Sequence, residues 1–254
     1  MTWFLFLSHF LADYPLQPNW MARNKRRPYV MVGHVSIHFL VLLLLAGESR
    51  RVIWPFLLAL TLAHLCIDIG KETVYWLRPD WVVGPYVIDQ CFHYITIVLT
   101  GIWIGSVVGP VNLPFSAETA ILAATYLVAT YVWFISERIF THADLGYLAE
   151  VQAQLWSRMA TRAVMLSAML GLLLWIMPSG SPFALSPALA WTSGWTVSIV
   201  AGPSDQTVGL VILASAVASL PYFSGQYRQR ALLTDVFVSL VLAVLSMIAL
   251  IWLS

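Results

Sequence analysis

Four pairs of chelating side chains constrain this chain more than any other feature. They are His9-Phe-Leu-Ala-Asp13, His34-Val-Ser-Ile-His38, His64-Leu-Cys-Ile-Asp68 and Asp89-Gln-Cys-Phe-His93. Each pair is spaced i, i+4, which on a helix sets both side chains on one face, a turn apart and within reach of a common ion. Five of the six histidines fall in these pairs. Random placement of 6 His and 7 Asp over 254 residues would give about 0.6 such pairs, so four point to a shared purpose. All lie within the first 93 residues, three of them inside apolar runs. An ionisable group facing lipid costs about 2.5–3.5 kcal/mol even on lenient scales, so such pairs face a bundle interior and find partners there. The pattern predicts a metal site inside a membrane helix bundle.

Composition agrees. The chain is 60% hydrophobic and only 10% charged, where soluble domains carry about 25% charged residues. The expected fold class is all-α, a polytopic membrane bundle of about eight segments. A net charge of +1 implies no polyanion-binding field, so nucleic acid is excluded as a partner. Cys66 and Cys91 read as small packing residues rather than a disulfide framework. The N-terminus lacks the basic region of a cleaved signal peptide and reads as mature sequence.

Along the chain, residues 1–14 read as a short apolar helix ending at Pro15, and 17–27 as an interfacial stretch with a Trp anchor and four positive charges. Full spans are expected at 28–47, 52–70, 86–107, 117–136, 159–177, 207–224 and 231–253. An amphipathic surface segment is expected at 137–158, and a re-entrant or interfacial hairpin at 178–204. This divides the chain into an N-terminal bundle, 1–107, and a C-terminal helical region, 108–254. If 178–204 does not cross, Arg50 and Arg51 alone lie apart from the other basic residues. The positive-inside rule then makes the basic side cytoplasmic. At 1.5 Å per residue all four pairs fall within about 15 Å of that face. Nothing in the choice of pairs forced this common level.

Imidazole nitrogen and carboxylate oxygen suit zinc first, with manganese, iron or cobalt as alternatives. The candidate ligands are His9, Asp13, His34, His38, His64, Asp68, Asp89 and His93, enough for one or two ions, or for one ion with Asp residues orienting the ligating His. Asp13, Asp89 and Lys71 are the candidate catalytic residues. Lys71, one turn from Asp68, Arg23, Lys25, Gln17 and Gln90 are candidates for holding an anionic substrate. The reaction expected is hydrolysis of a lipid-linked ester or phosphoester at the cytoplasmic leaflet of a bacterial inner membrane. A non-enzymatic metal-handling or transport protein is the alternative, and a haem-binding electron carrier the third reading. Glu137, Arg138, His142 and Asp144 read as a solvated helix end, and Asp235 as a partner of Arg228 or Arg230.

The order of motifs carries a resemblance. His9-x-x-x-Asp13, Leu16-Gln17-x-x-Trp20-Met21-Ala22-x-Asn24-Lys25, His34 with His38, His64-x-x-x-Asp68-x-x-Lys71 and Asp89-Gln90-x-x-His93 resemble a bacterial inner-membrane family catalogued as domain of unknown function 3307, over about residues 1–105. That family brings no established activity. A looser likeness, confined to the membrane His/Asp pairs, is to membrane-bound metal-dependent hydrolases, and it implies hydrolysis only by analogy.

Overall fold

The computed structural model describes residues 1–176 and 228–253. Its regular elements are all helices, with no strand among the described residues. The chain forms two compact units, Met1–Ala120 and Ile121–Ser254. Five helical stretches are long and apolar enough to cross a membrane: Pro28–Leu45, Gly47–Leu77, Val83–Val107, Ala117–Phe140 and Arg230–Trp252. The expected span at 207–224 and hairpin at 178–204 lie outside the described residues.

In the first unit α1 (Thr2–Asp13) packs against α3 (Pro28–Leu45) and α5 (Val83–Val107), and α4 (Arg50–Leu77) packs against both α3 and α5. The short α2 (Asn19–Arg23) links α1 to α3. Pro28 opens α3, where its missing N–H is no loss and its fixed φ suits a first turn. Phe4, Leu5, Leu42, Ile53, Leu57, Leu60, Ile97 and Ile104 fill the shared core. At 12 residues α1 is only about 18 Å long, too short to cross a hydrocarbon layer of about 30 Å. It penetrates part of the way and ends against α5, where Gly101 leaves the room: a Cβ there would collide with Thr2 Oγ1. Gly47, at φ +55°, turns the chain from α3 to α4 under Pro114.

One boundary differs from expectation. The apolar run ends at residue 70, but α4 continues to Leu77. Lys71 and Glu72 do not stop it because each is paired, Lys71 with two aspartates and Glu72 with Arg26 at 3.5 Å.

In the second unit the chain runs through α6 (Ala117–Leu127), a π-helical turn (Val128–Val132), α7 (Trp133–Phe140), α8 (Leu145–Ala153), α9 (Leu155–Ile176) and α10 (Arg228–Leu253). The stretch 137–158 is therefore not one surface helix. Tyr147 and Val151 of α8 are buried, and α9 begins four residues ahead of the expected 159 because Arg158 and Arg162 turn inward. Both guanidiniums are fully buried. Arg158 pairs with Glu137 at 2.8 Å and with Asp235 at 2.8 Å, and Arg162 also reaches Asp235 at 2.8 Å. Arg162 further donates to the carbonyls of Ala129 and Thr130, in the π-helical turn. Glu137 is thus a core residue, not part of a solvated end. Tyr147 donates its hydroxyl to Glu137, and burial, then that bond, pushes the phenol up to about 12. Asp235 takes its guanidiniums from α9. Arg230 instead reaches Asp144 at 3.5 Å and covers the Tyr147 ring.

Two arginines, one glutamate and one aspartate balance in charge. Replacing Asp235 by leucine strands two buried cations, so we expect a loss of about 3–5 kcal/mol, the usual cost of breaking a buried ion pair. Thermal or denaturant unfolding in detergent measures it, and a change below about 1 kcal/mol would show the cluster to be incidental.

Candidate metal centre

The four pairs meet. α1 brings His9 and Asp13, α3 His34 and His38, α4 His64 and Asp68, and α5 Asp89 and His93. All lie toward one end of the first unit, where α1 and α4 finish and α3 and α5 begin. Their side chains are buried, Asp13 being the most open at 9%.

Asp13 is the hub of one half. Its Oδ1 lies 3.0 Å from His38 Nε2, 3.2 Å from His34 Nε2 and 3.8 Å from His64 Nε2, and its Oδ2 lies 3.5 Å from His9 Nε2. The rings of His38 and His64 sit 3.8 Å apart between centroids, and those of His64 and His93 stack at 4.1 Å. Asp68 is the hub of the other half. Its Oδ2 lies 3.0 Å from Lys25 Nζ and 3.2 Å from His34 Nε2, and its Oδ1 lies 2.9 Å from Lys71 Nζ. Lys71 also reaches Asp89 Oδ2 at 2.9 Å. Gln90 donates to the same oxygen at 3.0 Å and accepts from Tyr14 at 3.3 Å.

This arrangement can hold a divalent ion in one place better than elsewhere. Ligand atoms of His9, Asp13, His38 and His64 lie within 4.8 Å of one another. Four atoms at 2.0–2.1 Å from a tetrahedral ion are about 3.3–3.4 Å apart, close to the 3.0–3.8 Å separations around Asp13. His9 Nε2 has no hydrogen bond, and a buried nitrogen without a partner is costly. An ion among these atoms would satisfy it.

Two further sets, His34–His64–Asp68 and Asp68–Asp89–His93, have equally close ligand atoms. Each already contains an ammonium: Lys25 lies 3.0 Å from both His34 Nε2 and Asp68 Oδ2, and Lys71 bridges Asp68 and Asp89. Three carboxylates against two ammoniums leave one unit of negative charge when the imidazoles are neutral. One divalent ion fits that balance and two do not. Of the one-or-two-ion expectation, the geometry carries the single ion.

The substrate-binding candidates separate. Lys25 and Lys71 are internal counterions, because three carboxylates in a dry core take the nearest cations. Gln90 orients Asp89. Arg23 is exposed on α2 and Gln17 is half-buried in the turn before it, and neither has a polar contact with the cluster among the described residues. Sequence reasoning missed Lys25 as a buried group, since it sits in a basic run that reads as interfacial. The i, i+3 step from Asp68 to Lys71 was a legible ion-pair signal.

Fold and cluster together define an all-helical protein with membrane-length helices that enclose a buried His/Asp/Lys centre. Residues 1–122 match the family model described as Protein of unknown function (DUF3307), and that stretch belongs to this family, as its motifs suggested. Comparison with curated proteins and with solved structures gives no significant match.

Lys71 stands where a second ion would bind. Lys71→Met should therefore raise divalent-ion uptake by one per chain over the parent, through Asp68, Asp89 and His93. Elemental analysis of dialysed protein measures this, and an unchanged stoichiometry would remove the counterion account of Lys71.

Proposed function

We propose that the N-terminal unit is a membrane-embedded, metal-dependent hydrolase acting on a lipid-linked ester or phosphoester, in a bacterial inner-membrane protein of about eight segments. The observation that carries this reading is the set His9, Asp13, His38 and His64, drawn from three helices into one buried centre beside two ammoniums. Zinc is the ion that donor set suits best, with manganese, iron or cobalt able to replace it. When bound, such an ion lowers the pKa of water toward ~7 and polarises a carbonyl or phosphoryl oxygen.

The chain's own residues do the rest. Asp13 holds three helices to the ion by facing imidazoles of α1, α3 and α4. Lys71 spends two of its three N–H groups on Asp68 and Asp89, and Lys25 spends two on Asp68 and His34. The third on each is available to an anionic oxygen, which suits a phosphate or carboxylate better than a neutral ester. Asp89, set by Lys71 and Gln90, backs His93 at 3.4 Å and forms with it a proton-accepting pair. Basic residues Arg23, Arg26, Arg27 and Arg78 gather at the end of the unit that holds the centre, with exposed Trp20, Trp76 and Trp81. Charge and aromatic belt both favour a site at the cytoplasmic leaflet.

A metal-handling or transport protein would use the same imidazoles and is the rival reading. A haem carrier fits least: the imidazole rings are in direct contact, and the cavity they line holds only about 10 Å³.

The test pairs metal content with hydrolysis, using protein purified without a metal-affinity tag and a panel of anionic and neutral lipids. We expect one ion per chain and cleavage of an anionic lipid. His64→Ala should lose both. Chelation should lower the melting temperature of the parent much more than that of His38→Ala, because binding stabilises only the assembled site. If fully metallated protein cleaves no lipid in the panel, the metal-handling reading replaces the hydrolase.

A further inference from the structure

On the side of the centre away from Asp68 and the lysines lies a cavity of about 10 Å³, lined by His9, His38, His64, His93, Thr61 and Thr96, with aliphatic side chains for the rest of its wall. That volume is about what one water molecule needs. Three of its imidazoles, His9, His38 and His64, belong to the set proposed to hold the ion, so the cavity borders the ion's position.

The two threonines decide what the cavity takes. Thr61 donates its hydroxyl hydrogen to the carbonyl of Leu57 at 2.8 Å, and Thr96 donates to the carbonyl of His93 at 2.9 Å. Each hydroxyl has one hydrogen, and in both it is spent on the helix backbone. What they present to the cavity is lone pairs. A ligand seated there must donate hydrogen bonds. Water donates two, whereas the carbonyl or phosphoryl oxygen of a substrate donates none and would face two acceptors. His93, on the same wall but outside the ion set, has an Nε2 without a hydrogen bond and can receive a proton.

We infer that this cavity is the seat of a single water beside the ion, held by Thr61 and Thr96, and that these threonines are positioning residues for the nucleophile. The inference rests on the hydrolase reading and deepens it. The centre has two sides: water is taken on the imidazole side, deeper in the bundle, and the anionic substrate group is taken on the lysine side.

The test uses full-length protein loaded with cobalt(II), whose visible spectrum reports coordination number, in ordinary and ¹⁷O-enriched water. We expect the parent to bind one cobalt per chain and to show one exchangeable water coupled to it. The Thr61→Val, Thr96→Val double variant should still bind one cobalt but lose the ¹⁷O coupling, with a stronger, four-coordinate absorption. Thr100→Val, a buried threonine of the same helix away from the cavity lining, should match the parent and shows that loss of a hydroxyl as such is not the cause. A parent that binds cobalt but shows no coupled water, or a double variant that keeps it unchanged, overturns the inference and leaves the metal centre standing. Failure of the parent to bind cobalt at all would instead remove the hydrolase reading beneath it.

Discussion

Three buried carboxylates need cations, and much of the first unit follows from where those cations come from. Asp13, Asp68 and Asp89 lie at one level among packed helices, where an unpaired charge would cost several kcal/mol. Lys71 rises from α4 to bridge two of them, and Lys25 reaches in from the turn ahead of α3. Asp13 is left with imidazoles alone. The same requirement explains why α1 is drawn in against α3 and α5 although it is too short to cross. Its two polar side chains have their partners only in the company of the other helices.

The second unit meets a similar problem with a different residue. Arg158 and Arg162 present planar forks that engage Glu137, Asp235 and backbone carbonyls together. Charge is balanced there, and the network is closed on itself. In the first unit one negative charge remains, along with nitrogens that bond to nothing. Balance suggests architecture, and a residual charge beside unpartnered ligand atoms suggests binding. On that contrast the chemistry belongs to the first unit.

Much of the centre was legible before any coordinates. The i, i+4 spacing identified the eight side chains, and counting residues from each helix end put them at one level, because a helix is a ruler of fixed rise. The bounds of α1, α3 and α5 follow from Pro15, Pro28 and the apolar runs. What escaped is what depends on partners distant in sequence. Lys25 looks interfacial in its basic run and becomes a core residue only once Asp68 is beside it, 43 residues on. Arg158 and Glu137 look like a polar surface until Asp235, 77 residues beyond Arg158, supplies the countercharge. Hydropathy assigns each charge a cost on its own, whereas burial is decided by pairs.

The π-helical turn at Val128–Val132 has a consequence for how the second unit tolerates change in length. Such a turn accommodates one residue more than the α-helical repeat around it. That surplus sets the phase of everything after it: Trp133–Phe140 faces as it does because one extra residue precedes it. A single deletion within the turn would restore regular helix and rotate the downstream segment by about 100°. Glu137 would then swing off the line of Arg158, and the carbonyls that hold Arg162 would return to the helix. Relatives of this half of the chain should therefore vary freely in side chains along the turn but not in its number of residues.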